Sequence, residues 1–235
     1  MSTIDFIKTS LRTADDWHKK EQLTWVSKCL SSALMGYLQI AVKEQADITS
    51  GVEWLKAQGF LAVLKRYWET LKGLGDEVSA GCLPSSVIGG NYCPLVFAHA
   101  AWCLDAFSLG ESFVAFAERR DVGELSTSFW REYARGMGAL LRREIYHPSI
   151  LRLRGQEKYW IVYLRLAESV CNNHTMETAV NEMEKSFAIR NRDKTIQDDA
   201  FQIEGAGGGP VKWDFRGNSL LKLVAHRKLA MLSDT

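Results

Sequence analysis

A chain of 235 residues, 46% hydrophobic and 24% charged, has the composition of a folded globular protein and needs no disulfide or metal staples to build a core. Its 29 Lys and Arg against 28 Asp and Glu leave a formal net charge of +1. That balance gives no global pull toward nucleic acid or membranes, and it argues against a wholesale acidic mimic of DNA.

The five cysteines, Cys29, Cys82, Cys93, Cys103 and Cys171, are odd in number and lack C-x-x-C spacing. Cys29, Cys103 and Cys171 lie in apolar runs, so the expectation is reduced thiols in a cytoplasmic protein. The opening MSTIDFIKTSLRTADDW carries acids early and has no apolar stretch of signal-peptide type. The most apolar run, Pro94 to Leu104, is too short to span a bilayer and contains His99.

A helical period runs through most of the chain. Ser50-Gly51-Val52-Glu53 has the form of a capping box, followed by a stripe of Leu61, Leu64, Trp68 and Leu71. Gly73 and Gly75 are expected to end that helix, and Pro84 with Gly89-Gly90 marks a loop. Helices are then expected over Pro94–Phe107, Gly110–Arg120 and Ser128–Ile145. Ser108 to Glu111 is a second capping box and Pro148 a stop. Small residues at Ala98, Ala100, Ala101 and at Ala134, Gly136, Gly138, Ala139 would let helices approach closely. Further helices are expected over Gln156–Cys171, Thr175–Ile189 and Leu220–Met231. Ala200–Glu204 and Val211–Phe215 alternate enough to pair as a short hairpin around the glycines. The reading is therefore an all-α, single-domain multi-helix bundle. It has a helical body over 1–186, a polar glycine-rich loop over 187–216 and a terminal helix over 217–235.

Motifs for chemistry are few. Gly205 to Pro210 is glycine-rich, but Pro210-Val211-Lys212 breaks the phosphate-loop pattern and no helix start follows at once. A turn with positive φ is the simpler reading. Asp193, Asp198, Asp199, Glu204 and Asp214 match no EF-hand spacing. Arg190, Arg192, Lys194, Lys212 and Arg216 among them favour ion pairs, with a partner-binding surface as the alternative. Glu144-x-x-His147 has the spacing of one di-iron half-site, but there is no second copy and Pro148 follows directly. No nucleophile elbow or zinc-protease motif occurs, so no catalytic residue, metal or cofactor is assigned.

Two other features stand out. Arg131, Arg135, Arg142, Arg143, Arg152, Arg154, Lys158 and Arg165 outweigh the nearby acids, with Tyr146, Tyr159, Trp160 and Tyr163 among them. Such a stripe could contact phosphates, or its stems could simply cover apolar surface. Of eight tryptophans, Trp213 alone lies in the polar segment, beside Asp214 and Arg216, and Trp with Arg is a common interface anchor pair.

Phe187 to Lys194, Asp198-Asp199, and Pro210-Val-Lys-Trp-Asp-Phe215-Arg together resemble a known family. They are similar to the mostly helical immunity proteins of bacterial polymorphic-toxin and type VI secretion systems, in particular the all-α family found beside HNH/endonuclease-VII-type nuclease toxins. The resemblance covers roughly the last third of the chain, and the remainder agrees in being helical. It implies a non-enzymatic cytoplasmic inhibitor that binds a cognate toxin directly, by plugging its active site or locking it in an inactive shape. Under that reading Asp198, Asp199 and Glu204 would face basic toxin side chains, with Trp213, Asp214 and Arg216 as the anchoring group. Two alternatives remain open at this point. One is a helical enzyme assembled around Glu144, His147 and the arginines. The other is a nucleic-acid-binding module using Arg131–Arg165.

Overall fold

A computed structural model describes residues 2–79, 92–119, 128–149, 157–192 and 211–233. Among them the regular structure is all helix, with no strand, as the periodicity predicts. No described helix is long and apolar enough to cross a membrane.

The first layer is N-terminal. Helix α1 (Thr3–His18) starts at a reciprocal capping box between Ser2 and Asp5 and packs along α2 (Leu23–Glu44). At their shared tip Trp17 and Trp25 stack with ring centres 5.7 Å apart. Helix α3 (Ile48–Ala57) is capped by Asp47, not by Ser50. The Asp47 side chain accepts the Ser50 backbone N–H at 2.8 Å, and the Ser50 hydroxyl reaches back to accept the Asp47 N–H at 3.2 Å. Gly59, at φ 69°, separates α3 from α4 (Phe60–Ser79). Leu64 and Leu71 of the predicted stripe are buried, and Leu61 and Trp68 pack partly against the same core. Gly75 (φ 36°, ψ −116°) bends α4 instead of ending it.

The second layer wraps around α5 (Tyr92–Cys103), which is apolar on every side and contacts α4, α6 (Phe107–Arg119) and α10 (Phe215–Ser233). Ser108 lies inside α6, so the expected second capping box does not form. Helices α7 (Ser128–Arg142), α8 (Glu157–Cys171) and α9 (Glu177–Arg192) follow, each packed on its predecessor. The small-residue stripe works as predicted. A Cβ on Gly136 would come within 2.6 Å of Leu164 on α8.

The helix ends differ from those the sequence predicts. Glu21, Asp105, Arg143 and Asn173 have φ between 55° and 62°. Each is followed by a residue whose N–H reaches back five positions, as Glu144 does to the Ala139 carbonyl at 3.0 Å and His174 to Ser169 at 2.8 Å. These are Schellman terminations built without glycine. Helix α7 therefore stops at Arg142, well before Pro148, and the expected Pro94–Phe107 helix breaks at Asp105. Helix α9 runs past the expected boundary to Arg192, and α10 starts at Phe215.

Candidate functional site

The polar segment leaves α9 at Arg192 and returns at Val211. Its two ends are clamped together. The Asn191 side chain donates to the Val211 carbonyl at 2.7 Å and accepts the Val211 N–H at 3.2 Å. Asn172 does the same to Tyr146, at 2.9 Å and 3.1 Å. A side-chain amide used this way satisfies both backbone groups of a residue that has no helix or strand partner.

Immediately after the clamp, the chain is locked onto the first layer. The Lys212 N–H donates to the Val42 carbonyl at 2.8 Å, its ammonium to Glu44 at 2.7 Å, and the Trp213 indole N–H to Ala41 at 3.1 Å. These are three of the last four carbonyls of α2, the groups a helix end leaves unmet. The lysine charge also sits at the negative end of the helix dipole. Trp213 then fills the space over α3, where a Cβ on Gly51 would approach its ring to 2.5 Å.

Asp214 caps α10, accepting the Gly217 N–H at 3.0 Å and the Tyr163 hydroxyl at 2.9 Å through the same oxygen. Its other oxygen is buried without a hydrogen-bond partner among the described residues. Arg216 is 1% exposed, its guanidinium carbon 3.7 Å from the centre of the Trp160 ring and 6.0 Å from that of Trp130. The expected placing of Trp213, Asp214 and Arg216 as surface anchors is therefore corrected: all three are buried. The stretch looks polar in sequence, but at its described end Lys212 reaches a carbonyl, Asp214 caps a helix and Arg216 meets an aromatic face. Asp198, Asp199 and Glu204, with the Ala200–Glu204 half of the expected hairpin, lie outside the described residues. The other half is not a strand. Val211 to Asp214 lack strand pairing and Phe215 opens α10.

Arg216 helps to set a neighbouring buried network that the sequence did not reveal. His99 Nδ1 lies 2.6 Å from Ser219 Oγ, and Nε2 lies 2.9 Å from the Tyr133 hydroxyl. Ser219 gives its own proton to the Arg216 carbonyl at 2.7 Å. Its oxygen must then accept from Nδ1–H, which leaves Nε2 to accept from Tyr133. Burial, with the nearby Arg216 charge, holds His99 well below the ordinary histidine value, in keeping with this neutral ring. A serine that receives a proton from histidine and passes its own to a carbonyl is not arranged as a nucleophile. His99 in an apolar run was the only sequence signal, and its partners come from two other helices, α7 and α10.

Glu144 and His147 are not brought together. Glu144 pairs with Arg142 at 3.0 Å, and His147 Nδ1 lies 2.9 Å from Glu168. His147 sits on extended chain past the end of α7, so the helical spacing assumed for a metal half-site does not apply. Among the described residues, no group of three or more His, Cys, Asp or Glu could hold a metal. The basic stripe is partly neutralised. Arg142 grips Glu118 through two bonds of 2.7 and 3.0 Å, Arg165 meets Glu182 at 2.7 Å, and Arg135 holds Glu132. Tyr146, Trp160 and Tyr163 are buried, which removes them as stacking platforms for bases.

Glu132 is the hub of that region. Burial works to raise its carboxyl, but hydrogen bonds from Arg135, Ser149 and Tyr146 outweigh it and hold the group below its ordinary value. The same contacts pin the chain after α7 onto the helix, with the Tyr146 hydroxyl at 2.9 Å and the Ser149 hydroxyl at 2.7 Å. Cys29, Cys103 and Cys171 are free thiols, and burial pushes Cys103 up to about 12.

No protein-family model, no curated protein and no solved structure matches this chain.

Proposed function

We propose that this protein neutralises a cognate secreted bacterial toxin, a nuclease, by direct one-to-one binding in the cytoplasm. The family resemblance of the C-terminal third supplies the class. The observation that carries the reading is the pinned base of the polar segment, where Asn191 holds Val211 and the next two residues cap α2. Loops with fixed ends on a rigid helical frame are a common way to present binding residues. Between these ends the sequence carries Asp198, Asp199 and Glu204, whose charge suits a basic nuclease cleft. Acidic groups in that position would speed encounter by steering, and apolar contacts would set the lifetime of the complex.

Trp213, Asp214 and Arg216 take a different part in this reading than surface anchors would. They hold the base from within, and their substitution acts on stability first. The test is co-purification with the product of the adjacent upstream gene, followed by toxicity assays in cells making both proteins. A tight complex that abolishes toxicity supports the reading. Asp198→Lys with Asp199→Lys should then weaken the complex while leaving the fold intact. Unchanged affinity in that double variant would remove the acidic residues from the interface. A harmless neighbour that does not bind would remove the inhibitor reading altogether.

A further inference from the structure

Where α7 and α8 both end, a pocket of about 280 Å³ opens against the flank of α10. Leu140, Val170, Leu223 and Val224 form an apolar wall contributed by the three helices. Arg143 and Arg227 stand at the same pocket. The helix terminations make this geometry. Arg143 and Asn173, both lining it, are left-handed residues that turn the chain away and leave the two helix ends side by side.

The charges around it do not cancel. Arg227 is committed to Glu111 at 2.6 Å. Arg143 makes no ion pair among the described residues, and its guanidinium donates to the Arg227 carbonyl at 3.4 Å. Glu144, whose charge reaches Cys171 in the pocket, is itself held by Arg142 at 3.0 Å. An apolar wall is thus paired with a guanidinium that has no carboxylate partner among the described residues.

We propose that this pocket binds a small amphipathic anion, an acyl-type carboxylate with its tail on the apolar wall and its head held by Arg143. A cation would meet two guanidinium groups. A neutral apolar molecule would leave Arg143 unanswered, and a compact inorganic anion would make no use of the wall. Ligand pockets start near this volume. At about 30 Å³ for each water-sized group, the space holds on the order of nine or ten such groups, the size of an eight-carbon acid.

The probe is octanoate, titrated calorimetrically into the full chain, with octanol as the uncharged control of the same length. Saturable one-to-one binding is expected, with octanol about tenfold weaker. Arg143→Asn keeps a residue type that tolerates the left-handed conformation, and should lower octanoate affinity about tenfold without changing octanol affinity. Cys171 lines the pocket, so its alkylation by iodoacetamide, located by peptide mass, should slow when octanoate is bound. Equal binding of octanoate and octanol overturns the proposal. So does full octanoate affinity in Arg143→Asn, binding that leaves Cys171 unprotected, or the lack of saturable binding.

Discussion

The guanidinium carbon of Arg216 lies in the interior of the protein over the Trp160 ring, 3.7 Å from its centre. A buried charge is tolerated only when its surroundings answer it, and here an indole face does part of that. Arginine suits the position because its planar group stacks, which an ammonium cannot do as well. Arg216→Lys is expected to cost about 1–2 kcal/mol and Arg216→Ala about 3–5 kcal/mol in urea unfolding. A loss of less than about 0.5 kcal/mol for the alanine variant, the usual size for surface sites, would contradict the burial described.

Trp213 contributes both an N–H bond to the end of α2 and bulk over Gly51. The two can be separated. Trp213→Phe loses the bond to the Ala41 carbonyl and should cost about 1 kcal/mol, whereas Trp213→Ala should cost about 3–5 kcal/mol. Gly51→Ala drives a methyl into the ring and should destabilise the native protein by about 1–3 kcal/mol. In the Trp213→Ala background that cost should largely vanish. A double-mutant cycle that proved additive would show the two residues do not touch.

The two asparagine clamps give a paired comparison. Asn191→Leu and Asn172→Leu each remove two bonds to one backbone residue and should each cost about 1–3 kcal/mol. Only Asn191 holds the base of the polar segment. Its variant is therefore expected to lose partner affinity as well, while Asn172→Leu keeps it. Equal affinities in the two variants would detach the segment from binding.

His99 predicts a pH response. Its folded value lies well below that of the unfolded chain, about 6.5, so between those two values the unfolded state binds the extra proton. Stability is then fully present above about pH 6.5 and falls with acidification toward the folded value, by up to about 1.4 kcal/mol per pH unit. His99→Leu should be less stable at neutral pH yet flatter across this window. Denaturant midpoints at a series of pH values check it, and an unchanged slope in the variant would assign the response to another group. Glu132, held low, adds a second loss at more acidic pH, as the solution passes through its folded value.

The stripe read on α4 became a core face, and the helices expected over Gln156–Cys171 and Thr175–Ile189 bury apolar residues in the same way. Leu64 and Leu71 on α4, Trp160, Tyr163 and Ala167 on α8, and Met183 on α9 are all buried. The capping residue of α3 was missed by three positions because Asp47 and Ser50 both fit the chemistry, and only the backbone direction distinguishes them. Helix ends at Asp105 and Arg143 carried no glycine to announce them. The burial of Trp213, Asp214 and Arg216 was hidden in the sequence for a related reason. Trp213, Asp214 and Arg216 sit in a polar stretch, and local polarity suggests a surface.

Helical periodicity, balanced charge and the spacing of small residues were enough to determine an all-α protein with close helix contacts, because these depend on residues a few positions apart. What the polar groups face depends on residues far apart in the chain. Lys212 and Trp213 meet carbonyls at the end of α2, Asp214 meets Tyr163, and His99 meets Ser219. Only the packed structure decides such pairs. A buried polar group must find a partner wherever the fold places one, and nothing in the local sequence says where that is.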